Sequence, residues 1–176
     1  MAILREVGPQ IGYELEPSAP LAASHPGVGR AGRSSGRPAL HYTVREPRNG
    51  KAPRHTVVLS HALGCDLTMW DQLANQLALD HRVIAYDHRG HGSSESPPGA
   101  YAMADLADDA AALLRELDTG PVVWIGLSMG GMVGQELALR HPALVRALVL
   151  ANTTSGYPAP VQEVWAAIHD PARWPE

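Results

Sequence analysis

WIGLSMGGMVGQ, residues 124–135, is the stretch of sequence that decides the fold. Ser128 lies in it between Gly126 and Gly130, after an apolar run and directly before a segment with helical spacing. Where a buried strand turns sharply into a helix, a serine on the turn can project its hydroxyl above the sheet as a nucleophile. Glycines flank such a serine because side chains would collide across so tight a turn. The alternative is that Ser128 only caps the helix after a glycine-rich bend.

Strand-type and helix-type segments alternate on both sides of this stretch. The strand-type runs are ALHYTVRE (39–46), TVVLSH (56–61), RVIAYD (82–87), VVWIGL (122–127) and RALVLAN (146–152), and helical spacing marks residues 69–77, 103–117 and 129–140. Alternation of this kind predicts an α/β protein with a mostly parallel sheet and helices on both faces. The core of that domain is expected at residues 39–154.

The two ends of the chain differ from this core. Residues 17–38 are rich in Pro, Gly, Ser and Ala, contain no acidic residue and show no periodicity. We therefore predict that residues 1–38 form a flexible N-terminal extension. Residues 155–176 begin with a turn-rich stretch and are expected to start a lid or cap region.

The composition excludes several classes of protein. A formal net charge of -4 gives no electrostatic reason to expect nucleic acid or an anionic membrane as a partner. A single cysteine, Cys65, cannot form an intrachain disulfide, and no apolar run approaches the roughly 20 residues that span a bilayer. These observations predict a soluble, cytoplasmic protein, and they leave the oligomeric state open.

A serine that accepts an acyl group needs hydrogen-bond donors for the developing oxyanion, each worth about 3–4 kcal/mol of barrier. The backbone N–H of Met129, which follows Ser128, is one candidate donor. The segment HALG (61–64) follows an earlier strand, and we expect the N–H of Leu63 to be the second donor. His61 is predicted to anchor this loop and not to act as a catalytic base.

The segment DHRGHGSS (87–94) follows the strand RVIAYD and contains three polar residues that also occur at metal sites. Asp87, His88 and His91 are the residues in question. The His-x-x-His spacing on a glycine-broken loop is unspecific, and no further cysteine or carboxylate cluster supports a metal site. We expect these side chains to shape the loop by hydrogen bonding.

SHALG (60–64), DHRGHGSS (87–94) and GLSMGGMVGQ (126–135), in this order and on these elements, resemble the α/β-hydrolase family. Four stretches are similar to 3-oxoadipate enol-lactonases, which act in bacterial degradation of aromatic compounds: HYTVREP (41–47), LSHALGCDLTMWDQLANQL (59–77), VIAYDHRGHGSSESPPGAY (83–101) and LVLANTTSGYP (148–158). The resemblance covers about residues 39–157.

The resemblance implies a mechanism. Ser128 would attack the carbonyl of an enol-lactone, the amides of Leu63 and Met129 would hold the oxyanion, and water would release 3-oxoadipate from an acyl-enzyme. The family uses no metal and no organic cofactor. Relatives with dehalogenase or epoxide hydrolase chemistry have an aspartate at this turn, which forms an alkyl-enzyme ester. The serine found here argues against that chemistry.

The catalytic acid and base of the family are not found in the sequence. They follow the serine in the order Ser, acid, His, yet only 48 residues follow Ser128. His141 ends the helix about 20 Å away, and His169 and Asp170 lie in the expected lid. We therefore expect a chain cut off as the lid begins, without the final strands, nearly inactive by itself, and with an exposed apolar sheet edge. The alternatives are another carboxylesterase of this fold or a non-catalytic remnant.

Overall fold

The computed structural model describes residues 4–6, 13–15 and 29–156. Within them, a mixed six-stranded sheet has the order β3-β4-β6-β5-β7-β8. Its strands are β3 (Arg30–Arg33), β4 (His41–Arg45), β5 (Thr56–Ser60), β6 (Arg82–Tyr86), β7 (Val122–Leu127) and β8 (Val145–Ala151), while β1 (Leu4–Glu6) and β2 (Tyr13–Leu15) pair separately. Neighbours among β5 to β8 pair in parallel, and β4 is antiparallel to β3 and β6.

Helices cover both faces of this sheet. They are α1 (Asp71–Leu77), α2 (Met103–Glu116) and α3 (Met129–Arg140), with short 3₁₀ turns at Leu67–Trp70 and Pro142–Leu144. Successive strand residues point to opposite faces, so Val58 packs in the cluster with α2 and α3, while Val57 packs in the cluster with α1. The predicted fold class is confirmed.

The strand and helix runs expected within residues 39–154 form close to their predicted bounds. The segment at 69–77 is divided, because Leu67–Trp70 forms a 3₁₀ turn and the α-helix begins only at Asp71. Asp66 caps that turn by accepting a hydrogen bond from the N–H of Thr68.

The expected boundary at Ala39 is too late, because the sheet starts before it. Strand β3 pairs with β4 from Arg30 opposite Val44 to Arg33 opposite His41. Its sequence, RAGR, has no apolar alternation, so backbone pairing with β4 forms the strand where side-chain pattern gives no signal. The rest of the predicted extension, residues 1–3, 7–12 and 16–28, lies outside the described residues, as do residues 157–176 of the predicted lid.

Strand β8 is the last strand at its end of the described sheet. Its side chains are mostly exposed, and Val149 and Leu150 are 48% and 43% accessible. An apolar edge is therefore present among the described residues, and association through it stays a prediction. No helix within the described ranges is long and apolar enough to cross a membrane.

Candidate active site

The turn at Ser128, which we call the elbow, joins β7 to α3 with no intervening loop. Ser128 has φ +51° and ψ -115°, a conformation that costs a non-glycine residue roughly 1–3 kcal/mol. Backbone hydrogen bonds hold it there. The N–H of Ser128 donates to Ala151 O at 3.0 Å, and its carbonyl accepts from Gly131 N–H at 3.0 Å and Met132 N–H at 3.2 Å.

The geometry at Ser128 contradicts the helix-cap alternative. The Ser128 side chain makes no capping hydrogen bond to α3, and the residue is partly exposed. A capping serine also has an extended backbone and not a positive φ. The side chain therefore lies on a strained turn and does not cap the helix.

The glycines around Ser128 bring the elbow against the sheet. A Cβ on Gly126 would collide with the backbone of Gly130, and a Cβ on Gly130 would collide with the carbonyl of Ser60. Farther along α3, a Cβ on Gly134 would lie 2.5 Å from the indole of Trp124. The N-terminal half of α3 is therefore in direct contact with β5 and β7.

The loop after β5 leaves the same edge of the sheet as the elbow. Ser60 pairs with Gly126 across the parallel strands, so the segments that follow both residues emerge side by side. The loop closes a four-residue turn in which Cys65 N–H donates to Ala62 O at 3.1 Å. Gly64 in this turn has φ +72°, and the Leu63 side chain is 52% accessible.

The backbone N–H groups of the two predicted oxyanion donors are not used within the described part of the protein. Among the hydrogen bonds formed by the described residues, none uses the backbone N–H of Leu63 or Met129 as a donor. Met129 is the first residue of α3, where backbone N–H groups have no partner within the helix. The partial positive charge of the helix N-terminus adds to the attraction for an anion.

Beneath this edge lies a fully buried group of polar side chains. His61 Nε2 accepts from the backbone N–H of His88 at 3.0 Å, and His61 Nδ1 lies 2.8 Å from Ala62 O. The His88 ring lies between two hydroxyls, with Ser60 Oγ 3.0 Å from Nε2 and Tyr86 Oη 3.2 Å from Nδ1. These contacts agree with the anchoring role predicted for His61.

Burial favours the neutral form of both rings. Burial lowers the pKa of His61 below its usual 6.5, while the hydrogen bond to Ala62 opposes the shift. Burial lowers the pKa of His88 well below 6.5, and the neighbouring His61 adds to the effect. A neutral imidazole has one donor and one acceptor nitrogen. Because Nε2 of His61 accepts from an amide, the proton of that ring is on Nδ1.

Asp87 is 2% accessible and ties three segments together. Its carboxylate accepts from the N–H of Leu67 at 2.7 Å and of Ser93 at 2.9 Å, and it contacts His41 Nδ1 at 2.9 Å. Contacts from three segments therefore converge on this carboxylate. His91 Nδ1 lies 3.1 Å from Arg89 O, so both ends of the DHRGHG segment shape the loop.

A cleft of about 500 Å³ opens beside this loop. It is lined by Gly64, Cys65, Asp66, Thr68, Met69, Gly90, His91 and Gly92. The lining comes from the loop after β5 and the loop after β6, and it includes none of Ser128, Leu63 and Met129.

His141 lies at the far end of α3 from Ser128. Its Nε2 is 2.7 Å from Asp108 Oδ1, and Arg115 contacts its Nδ1 at 3.1 Å. Arg140 and then His141 lower the pKa of Asp108 to about 2. His141 therefore joins α3 to α2 and does not reach the elbow. His169 and Asp170 lie outside the described residues.

The sequence analysis did not identify Thr153. Its hydroxyl donates to Ser128 O at 2.6 Å, and it packs against Gly131. It also missed the polar group of Ser60, His88 and Tyr86. The available signal was that two neighbouring apolar strands end in Ser60 and Tyr86.

Comparison with known proteins gives a consistent result. The model of the alpha/beta hydrolase fold family matches residues 55–173. The chain is 39% identical over 106 residues to 3-oxoadipate enol-lactonase 2 of Acinetobacter baylyi, covering 60% of this chain and 40% of that protein. It is 45% identical over 98 residues to a protein of Serratia proteamaculans provisionally named carbamate hydrolase RutD, covering 55% of this chain and 37% of that protein.

Among solved structures, the enol-lactonase from Burkholderia xenovorans LB400 is similar with a TM-score of 0.70 and 36% identity, over 82% of this chain and 54% of that one. The chain thus spans roughly 40% of the length of these two curated relatives and about half of this structural neighbour.

Proposed function

Because the chain belongs to the alpha/beta hydrolase fold family, we propose that it carries the nucleophile and the oxyanion hole of a serine hydrolase for small esters or lactones. Ser128 is the nucleophile, and the backbone N–H groups of Leu63 and Met129 bind the oxyanion. The observation that carries the proposal is Ser128 itself, a non-glycine residue at φ +51° whose side chain does not cap its helix.

The reaction follows from this arrangement. Ser128 Oγ attacks the carbonyl carbon, a new C–O bond forms, and the carbonyl electron pair moves to the oxygen. The two amides stabilise that oxyanion. Its collapse breaks the ester or lactone C–O bond, and water then releases the acid from the acyl-enzyme. A general base must take the hydroxyl proton, and the described residues form no hydrogen bond between a histidine and Ser128 Oγ.

The substrate class is proposed from the relatives. The most specific candidate is an enol-lactone such as 3-oxoadipate enol-lactone, because an enol-lactonase is similar in both sequence and structure. A carbamate is the second candidate, because the 45% identical relative is provisionally named a carbamate hydrolase. Another carboxylester substrate and a non-catalytic remnant remain the further alternatives to be tested.

The nucleophile is tested with a fluorophosphonate probe and mass spectrometry on the 176-residue chain and on the full-length product of its gene. We expect rapid labelling of Ser128 in the full-length product, much slower labelling of the 176-residue chain, whose described residues bring no base to Ser128, and no labelling of Ser128→Ala. The exposed Ser96→Ala is the matched control and should label like the wild type. Labelling of Ser128→Ala at the wild-type rate would remove Ser128 from the mechanism.

The substrate class is tested by comparing kcat/KM for an enol-lactone, a simple carboxylester and a carbamate with the full-length product. Ser128→Ala should lower the rate on the preferred substrate by at least ~10³-fold. We expect the 176-residue chain to fall far below the usual kcat of about 10 s⁻¹, since its described residues bring no base to Ser128. Ordinary turnover by this chain would overturn that expectation.

A further inference from the structure

The peptide unit between Ala62 and Leu63 is held by its carbonyl. Ala62 O accepts from the N–H of Cys65 at 3.1 Å, which closes the turn. The same oxygen lies 2.8 Å from Nδ1 of His61, the ring nitrogen that carries the proton. A carbonyl oxygen has two lone pairs, so these two donors satisfy it and fix the rotation of the peptide plane.

This rotation sets the direction of the Leu63 N–H. In a trans peptide the C=O and N–H bonds lie in one plane and point in opposite directions. With Ala62 O held toward the buried His61 ring, the Leu63 N–H points away from that ring, toward the exposed side of the loop. It has no acceptor among the described residues, and it belongs to the turn that borders the cleft.

The orientation of His61 depends in turn on His88. The backbone N–H of His88 donates to His61 Nε2 at 3.0 Å, which requires the proton of His61 to be on Nδ1. The His88 ring contacts Ser60 Oγ at 3.0 Å, and the carbonyl of Ser60 lies against Gly130 in the first turn of α3. A continuous set of buried contacts therefore connects the peptide before Leu63 with the elbow.

We propose that His61 is a positioning residue that aims the Leu63 amide at the reacting carbonyl, with its tautomer fixed by the His88 backbone N–H. The inference rests on the proposed function of Ser128. It assigns to His61 neither proton transfer nor contact with substrate. The positioning requires a neutral ring, because a protonated Nε2 would place its own N–H donor against the backbone N–H donor of His88.

The groups that surround His61 favour the neutral state. His88 and His91 face it with ring centroids at 4.5 Å and 5.1 Å, and any positive charge on His91 opposes a second one on His61. The carboxylates of Asp87 and Asp66 act in the opposite direction. Burial outweighs these carboxylates, so the pKa of His61 is lowered, and the arrangement should persist at neutral pH and fail only on acidification.

The first test is a direct NMR observation on the uniformly ¹⁵N-labelled chain. An N–H···N hydrogen bond transmits a scalar coupling between its two nitrogens. We expect a coupling between the backbone nitrogen of His88 and Nε2 of His61 at pH 7, with the ring proton on Nδ1. The coupling should vanish as His61 protonates below pH 6.5. A proton on Nε2 at pH 7 would overturn the proposal.

The second test is kinetic and uses the full-length product of the gene. His61→Leu removes the donor to Ala62 O, whereas His61→Asn keeps a donor near the position of Nδ1. We expect His61→Leu to lower kcat roughly 10- to 100-fold, less than the 10²–10³ lost when an oxyanion donor is deleted, with KM within twofold. His61→Asn should recover part of kcat, and the exposed His55→Leu should behave as wild type.

The two proposals fail in different ways. Full activity in Ser128→Ala would overturn the proposed function, while the NMR coupling would still decide the tautomer of His61. An inactive Ser128→Ala together with normal kcat in a folded His61→Leu would overturn only the positioning role. Equal loss of kcat in His61→Leu and His61→Asn would also overturn it, because the retained donor would then be irrelevant.

Discussion

The backbone N–H of Ser128 donates to the carbonyl oxygen of Ala151 at 3.0 Å, so the last residue of β8 fixes the residue at which β7 turns into α3. The loop after β8 adds a second restraint, since the Thr153 hydroxyl donates to Ser128 O at 2.6 Å. The backbone N–H and C=O of Ser128 therefore both have hydrogen-bond partners, whereas its side chain forms no hydrogen bond within the described residues. This division explains how a positive φ is maintained at a non-glycine residue.

Thr153→Val should weaken the elbow without changing the shape of the side chain. The substitution removes the hydroxyl that donates to Ser128 O, and we expect the free energy of unfolding to fall by about 1 kcal/mol. We also expect slower labelling of Ser128 by the fluorophosphonate probe. Urea denaturation and labelling rates measure both effects. Thr154→Val, which removes a hydroxyl that bonds only to Gly156 in the same loop, is the control, and equal effects of the two variants would contradict the prediction.

Gly130→Ala should force α3 away from β5. The new methyl group would meet the Ser60 carbonyl at a distance that neither backbone can accommodate without moving. Overpacking of this kind costs typically 1–3 kcal/mol, and we expect this loss in urea denaturation together with loss of probe labelling. Gly36→Ala is the matched control, because nothing lies within 4 Å of the added atom. Wild-type stability of Gly130→Ala would show that α3 does not contact β5 so closely.

The sequence predicted the parallel part of the sheet and the helices because their apolar residues recur with the period of the element that they form. Val122–Leu127 and Met129–Arg140 have the predicted bounds. The glycines of 126–134 also had a local physical meaning, since each allows a close approach. Strand β3 could not be predicted this way, because its residues are mostly exposed and only backbone pairing with β4 defines it.

The sequence could predict the parts of the candidate site that are adjacent along the chain. It could not predict contacts between segments that are far apart in sequence. Ser128 and Met129 follow from a single turn. The contact of Thr153 with Ser128 joins positions 25 residues apart, and the amide of His88 meets a ring 27 residues away. Such pairs depend on sheet order, which the periodicity of a single sequence does not specify.

Asp87→Asn should strongly destabilise the domain. The carboxylate accepts from Leu67 N–H and Ser93 N–H while 2% accessible, and the amide of asparagine would place a donor against one of these donors. A buried unsatisfied group costs about 1–3 kcal/mol, so we expect a loss of at least that size in urea denaturation. The exposed Asp118→Asn should change stability by less than 0.5 kcal/mol. Similar values for both variants would show that Asp87 does not hold the loops.

Acidification should destabilise the domain through His61 and His88, even though both are uncharged in the folded protein. Burial lowers their pKa values below 6.5, so the unfolded chain binds protons that the folded chain does not. Their contribution to stability is complete above pH 6.5 and is lost as the pH falls toward the lowered pKa values, with a slope of up to about 1.4 kcal/mol per pH unit for each histidine. Urea denaturation between pH 7.5 and pH 5 measures this slope. His61→Asn should reduce this slope by up to the contribution of one bound proton, whereas the exposed His55→Asn should leave the slope unchanged. A slope unaffected by His61→Asn would mean that the ring is not held neutral by the fold.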